Sequence, residues 1–302
     1  MQPARVTVRA PAKINLFLRI TGRRSDGYHL LSTWMHKVDL CDTIELTACG
    51  EAVRLWCSDG QIPADQGNLV HRAADLFLGA ARGRPGVPGL GVTIRLTKHI
   101  PVAAGLGGGS SDAAATLKAM NGLFAGVLTQ DELVELGLRL GADVPFFLAD
   151  SPAALATGIG EILQPVPPLQ GYTLLLVNPG FSVSTRWAYQ TFALTKNEDA
   201  SMLQNLQECV VEGAHWQGDQ ATISPDMPLV NDLETVTIAR YPLLERLKGE
   251  LLRCGAHRAL MSGSGPTVFG LFADRHKAEA CYAACKLRFA ATYLVAPLAE
   301  QQ

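Results

Sequence analysis

The segment Pro101-Val-Ala-Ala-Gly105-Leu-Gly107-Gly108-Gly109-Ser110-Ser111-Asp112 sets four glycines within five positions, directly before paired serines and an alanine-rich run. Glycine is the residue that reaches positive φ without a Cβ penalty, so such a cluster predicts a tight turn whose backbone comes close to something. Gly91 to Leu96 alternates as a strand before it, and Ser110 to Met120 has a helical composition after it. Strand, turn and helix start in succession expose unpaired amides that can donate to phosphate oxygens. Ser110 and Ser111 add hydroxyls. Asp112 would repel a phosphate at close range but could orient one through water or a divalent cation. The competing reading is a structural loop. A Walker A loop is excluded, because no G-x-x-x-x-G-K-[ST] occurs, and no acidic residue at the later spacing completes a dinucleotide fingerprint.

Two further residues extend the phosphate reading towards chemistry. Lys13, in Pro11-Ala-Lys-Ile-Asn15, is the early positive charge, and Asp143, in Gly141-Ala-Asp-Val-Pro145, is the matching carboxylate. Pro145 disfavours simple continuation of the Thr129 to Leu140 helix, so Asp143 falls at a boundary. A lysine beside an aspartate favours its ionised form, and the aspartate can align or deprotonate a hydroxyl nucleophile. Each alone also fits a solvating lysine or a helix-end aspartate.

The chain has 302 residues, 48% hydrophobic and 18% charged, enough for two cored domains. Gln164-Pro-Val-Pro-Pro168 marks a junction and divides it into residues 1–164 and 165–302. The first part reads as strands at Arg5 to Ala10, Lys13 to Ile20 and Thr43 to Leu46, helices at Asn68 to Leu78 and Thr129 to Leu140, and a connection at Gly83 to Gly91. The second has strands at Tyr172 to Val177, Arg258 to Met261 and Thr267 to Phe272, with helices from Arg186, at Pro242 to Leu252 and at His276 to Phe289. Mixed α and β structure follows. Net charge is −2 and the basic residues are interspersed, which argues against a nucleic-acid partner. No apolar run reaches membrane-spanning length, no signal-like core opens the chain, and seven cysteines at unmetal-like spacings (Cys41, Cys49, Cys57, Cys209, Cys254, Cys281, Cys285) fit reduced thiols. A cytoplasmic protein is the expectation, with no membrane partner.

The ordered set Ala10-Pro-Ala-Lys13-Ile-Asn15-Leu-Phe-Leu, Arg24-Ser-Asp-Gly-Tyr28-His29, Pro101 to Ala115, Gly141-Ala-Asp143-Val-Pro-Phe146 and Met261-Ser-Gly-Ser-Gly-Pro266 resembles the GHMP kinase superfamily over most of the chain. The resemblance implies a two-domain α+β fold, an N-terminal kinase domain and a C-terminal ferredoxin-like domain, with the third motif returning to a shared cleft. It implies γ-phosphoryl transfer from ATP, accompanied by Mg²⁺, to a hydroxyl of a small cytidine-diphosphate-linked molecule. By motif match Asp143 is the base and Lys13 its electrostatic partner. The ATP side would comprise Asn68, Lys98, Pro101, Val102, Ala103, Ala104, Gly105, Leu106, Gly107, Gly108, Gly109, Ser110 and Ser111. The acceptor side would comprise Asn15, Tyr28, His29 and Asp143, with Tyr189 stacking on cytosine and Trp187 as its rival. The resemblance identifies no protein ligand for the metal, and a homodimer is compatible with it.

Locally, Asn68 also fits a helix cap, Lys98 a solvent-facing lysine, Tyr28 a core cover and Gly263-Ser264-Gly265 an ordinary turn. Two other functions stay open on these residues. A related kinase could act on a mevalonate derivative, homoserine or a sugar. A noncatalytic nucleotide-binding protein would keep the glycine turns without needing Lys13 and Asp143.

Overall fold

The computed structural model describes residues 4–50, 52–84, 91–195, 214–217, 220–223 and 229–299. Cys209 and most of the Gly83 to Gly91 connection lie outside them.

A long antiparallel hairpin organises the first lobe. Strand β1 (Arg5–Arg23) pairs with β2 (His29–Ala48) along its whole length, with register shifts at Pro11/Ala12, Asn15/Phe17 and Ile20/Gly22. The two early strands of the sequence reading are therefore one. Pro11 does not break it because β1 pairs with β2 alone in its sheet, and a strand with one ladder tolerates a residue lacking an N–H. The other edge of β2 is shared: β4 (Val92–Thr97) takes its C-terminal half and β5 (Ala153–Thr157) its N-terminal half. Strand β3 (Val53–Cys57) lies parallel to β4, and β6 (Ile162–Pro165) antiparallel to β5.

Helices α1 (Leu69–Ala81), α2 (Gly108–Leu123), α3 (Gln130–Leu140) and α4 (Val144–Leu148) join the sheet in one core around Met35, Ile44, Leu46, Phe77, Met120 and Phe146. Thr129 and Glu132 form the expected capping box of α3. Helix α2 starts two residues earlier than its composition predicts, with Gly107 as N-cap at φ +70° and no side chain capping it. Asp112 consequently lies beyond the first turn, which is left to glycine and serine amides.

The second lobe is a four-stranded antiparallel sheet built from β7 (Thr173–Val177), β10 (Arg258–Met261), β11 (Val268–Phe272) and β12 (Thr292–Val295), in the order β10-β11-β7-β12. Helices α5 (Thr185–Thr195), α6 (Glu234–Arg240), α7 (Leu243–Arg253) and α8 (Arg275–Lys286) belong to this lobe, giving the ferredoxin-like strand order. A separate hairpin joins β8 (Ala214–Gln217) and β9 (Gln220–Ile223).

Alternation along β1 docks the lobes. Ala12, Ile14 and Leu16 enter a core shared with Leu174, Leu176 and Phe269 of the second sheet, while Lys13 and Asn15, on the opposite side, reach a cleft. Backbone bonds stitch the junction: Leu18 N donates to Val230 O at 2.8 Å and Asp232 N to Leu18 O at 2.9 Å. Asp232 also binds Arg19 at 2.6 Å. Among the described residues no helix is long and apolar enough to cross a membrane.

Candidate active site

A cleft of about 1020 Å³ opens between the lobes, lined by the glycine turn, Lys13, Asn15, Asp143, the β1–β2 turn and the start of α5. A drug-sized ligand occupies a pocket of roughly 300–1,000 Å³, so this one has room for a nucleotide and a second bulky molecule.

The glycine turn forms the wall nearest the second lobe. Ala103, Gly105 and Gly107 all have positive φ. A Cβ on Gly105 would lie 2.0 Å from the Ser262 carbonyl oxygen, and Ser262 Oγ donates to Gly105 O at 2.8 Å. The two glycine motifs thus touch backbone to backbone, which only glycine permits. A Cβ on Gly107 would meet Lys13 Cγ and Phe147 Cζ, each at 3.0 Å. Because no side chain caps α2, the Gly108, Gly109 and Ser110 amides are left to a ligand, where the helix dipole favours negative charge.

Next to the turn stand the two charged candidates. Lys13 is buried; its backbone N–H donates to Leu106 O at 2.9 Å and its ammonium to Asn15 Oδ1 at 2.6 Å. Asn15 is held in turn through Nδ2 by Thr33 Oγ1 at 2.9 Å. Asp143 Oδ2 lies 3.6 Å from the Lys13 ammonium, with a third of the side chain open to solvent. Asp143 is the N-cap residue of α4, yet its carboxylate caps nothing. It is free to meet a hydroxyl.

Beyond Asp143 the wall is aromatic. His29 and Tyr189 have ring centroids 5.4 Å apart, tilted by 35°. Burial, then the Arg23 charge, lowers His29 from its ordinary value, and its buried Nε2 has no hydrogen-bond partner. Burial, with the nearby Asp143 charge, raises the Tyr189 phenol. Trp187 faces elsewhere: it packs edge-on against Tyr241 at 6.4 Å, under the Arg240 guanidinium, and does not line the cleft. Tyr28 is 61% exposed at the cleft rim, so it covers no core.

Two residues expected on the nucleotide side have other engagements. Asn68 lines the cleft but caps α1, accepting from Val70 N at 2.9 Å, while its Nδ2 donates to Pro63 O at 3.0 Å. Lys98 also lines the cleft, and its ammonium is buried between the carboxylates of Asp42 and Asp112. Burial works to lower Lys98, but Asp112 and Asp42 carry it above its ordinary value. Burial pushes the Asp112 carboxyl well above the usual carboxylate range; Lys98 opposes this and Asp42 adds to it.

Among the described residues no three His, Cys, Asp or Glu side chains converge as a metal cluster. Mg²⁺ rarely needs one, since it keeps several waters and rests on one or two carboxylates plus substrate phosphates. Asp112 Oδ1, buried without a partner, is an oxygen donor of that kind. Sequence reading missed Asp42, Thr33 and Thr185, whose hydroxyl lies 3.0 Å from Ser264 Oγ at the cleft. Asp42 alone carried a signal, as a carboxylate leading into the Thr43 to Leu46 strand.

Residues 68–151 match the GHMP kinases N terminal domain and residues 202–291 the GHMP kinases C terminal. The chain is 44% identical over 279 residues to the 4-diphosphocytidyl-2-C-methyl-D-erythritol kinase of Pelobacter propionicus, covering 92% of this chain and 93% of the relative. It is 39% identical over 291 residues to the enzyme of that name from Clostridium botulinum, covering 95% and 98%. Among solved structures, a 4-(cytidine 5'-diphospho)-2C-methyl-D-erythritol kinase superposes with a TM-score of 0.74 at 33% identity, over 96% of this chain and 98% of that one. A homoserine kinase from Cytophaga hutchinsonii superposes with a TM-score of 0.75 at 21% identity, over 99% and 96%, and shows the shared fold.

Proposed function

Since the chain belongs to the GHMP kinases, we propose that it transfers the γ-phosphoryl group of ATP to the 2-hydroxyl of 4-diphosphocytidyl-2-C-methyl-D-erythritol, in the non-mevalonate route to isoprenoid precursors. The observation that carries this reading is the order of groups along one cleft. Glycine turn, Lys13 and Asp143 follow one another through close approaches, and the paired rings of Tyr189 and His29 line the same cleft within reach of the Asp143 charge. Phosphate donors stand at one end, a base in the middle and a planar-base platform at the other.

The chemistry follows from that order. The α2 amides hold the triphosphate, and the acceptor hydroxyl enters between it and Asp143. Asp143 accepts the hydroxyl proton as the oxygen attacks the γ-phosphorus; the new P–O bond forms while the bridge to the β-phosphate breaks, releasing ADP. The Lys13 ammonium stabilises charge on the Asp143 side and is aimed by Asn15 and Thr33. Tyr189 offers a face to cytosine, and the unpartnered His29 Nε2 can bond the edge of the base. Mg²⁺, when bound with the nucleotide, would be held by Asp112 Oδ1 and neutralise phosphate charge there. A division close to residues 164 and 165 is in keeping with β6, whose last residue in the first sheet is Pro165, and β7, which opens the second at Thr173.

An acceptor panel tests the assignment. The cytidine-linked acceptor should exceed mevalonate and homoserine by more than about tenfold in kcat/KM, because polar groups built to bond a base are left unpaired by acceptors that lack it. Preference of that size for an acceptor without cytidine would sink it.

A further inference from the structure

Asp42 occupies a place that none of the proposed chemistry uses. It is fully buried on β2, and its two oxygens take three donors from residues 98–100. Oδ1 accepts from the backbone amides of His99 and of Ile100, the latter at 2.9 Å, at the entry to the glycine turn. Oδ2 accepts from the Lys98 ammonium, which also donates to Asp112 Oδ2 at 2.7 Å on α2, past the exit of the turn. One side chain therefore grips the turn at both ends, directly and through Lys98.

The turn needs such a grip. From Pro101 to Gly107 it passes through three residues at positive φ, and its helix end has no side-chain cap. A segment with so little internal bonding relies on outside contacts to aim its amides: Thr267, Ser262 and Lys13 hold the carbonyls of its middle, and the Asp42 cluster holds its ends. The cluster is also closed: the side chains of Lys98, Asp42 and Asp112 are 8%, 0% and 3% exposed. The Lys98 ammonium already has two carboxyl partners, which makes it a poor counter-charge for a triphosphate. Lys98 is thus suited to holding the turn more than to neutralising a ligand.

We propose that Asp42 is a positioning residue for the nucleotide, acting through Lys98 and the amides of residues 99 and 100 to hold the glycine turn in its phosphate-binding shape. This rests on the reading of the cleft as an ATP site. Asp42→Asn keeps an acceptor for the two amides and removes the charge that holds Lys98. Calorimetry should find the Kd for ADP raised by about tenfold, with the Kd for the cytidine-linked acceptor changed less than about twofold. In a Lys98→Met background the same substitution should cost less than about threefold, because its partner is already gone. Equal loss of acceptor and nucleotide affinity, unchanged ADP affinity, or additive effects of the two substitutions would overturn the proposal.

Hydrogen–deuterium exchange of amides 101–110 in the ligand-free protein separates this idea from the functional reading. Faster exchange in Asp42→Asn, confined to that segment, supports positioning whatever the cleft binds; unchanged exchange overturns it. Failure of the unmodified protein to bind any adenine nucleotide would instead overturn the ATP reading. If Asp42→Asn does not accumulate as folded protein, Lys98→Met is read by the same exchange, with the same two outcomes.

Discussion

The cleft and the lobe junction are built on the same two strands, and each holds a histidine of β2, His29 in the cleft and His36 at the junction, in opposite states of satisfaction. At the junction His36 is fully buried, and both ring nitrogens are satisfied: Nδ1 donates to Lys37 O at 2.7 Å and Nε2 accepts from Leu169 N at 2.8 Å. Lys37, beside it, donates to Ala149 O at 2.7 Å and lies over the Phe146 ring. In the cleft, His29 Nε2 and Asp112 Oδ1 are left without partners, and Asp143 stands 3.6 Å from Lys13. Unsatisfied buried groups cost stability, and these two belong to residues that line the cleft, where a ligand can satisfy them. The junction stabilises the fold, and the cleft gives up some of that stability to hold its chemistry ready.

Substitutions should therefore separate rate from stability. The largest effect is expected of Asp143→Asn, which should lower kcat by about 10³-fold with little change in the thermal midpoint. Normal turnover with saturating substrates would break the comparison, by making Asp143 another structural carboxylate. Gly105→Ala should destabilise by roughly 3 kcal/mol in urea unfolding, because the new Cβ meets the Ser262 carbonyl at 2.0 Å and φ is +76°. Gly109→Ala is its control: the nearest atom is Leu69 Cδ1 at 3.5 Å, and the change should stay within about 1 kcal/mol.

His36 tests the junction by pH. Burial lowers it from 6.5 to about 4, so the folded protein binds fewer protons than the unfolded chain between those values. Its contribution is complete above pH 6.5 and is lost as pH falls towards 4, a loss on the order of 3 kcal/mol. Urea unfolding across that range should show the slope, His36→Gln should flatten it, and kcat at neutral pH should hold. A slope unchanged in the variant would mean another group carries the acid sensitivity. The smallest effect is expected at the aromatic end: Tyr189→Leu should raise the acceptor KM by about tenfold and leave the ATP KM alone. Trp187→Leu, away from the cleft, should leave both; the reverse pattern would move the platform to Trp187.

Much of this was legible along the chain wherever the cause was local. Gly107 to Asp112 announced a turn running into a helix, Thr129 and Glu132 a capping box, and Pro145 a boundary that frees Asp143. Errors arose where a neighbour decided. Arg5 to Ala10 and Lys13 to Ile20 read as two strands because nothing local reveals that one ladder to β2 carries both. Lys98 equally fitted a solvent-facing lysine because Asp42 and Asp112, which take it out of solvent, come from other elements.

By itself, the sequence determined two α+β units, the glycine turns and the residue types that make a phosphoryl-transfer set, since periodicity, φ preference and capping act within a few residues. Only the tertiary structure decided that Lys13 meets Asp143, that Tyr189 and not Trp187 faces the cleft, and that Asp42 meets the amides at the entry to the turn. Each of those depends on strand register and on the docking of one lobe against the other. They are set by burial summed over residues distant in the chain, which no short window contains.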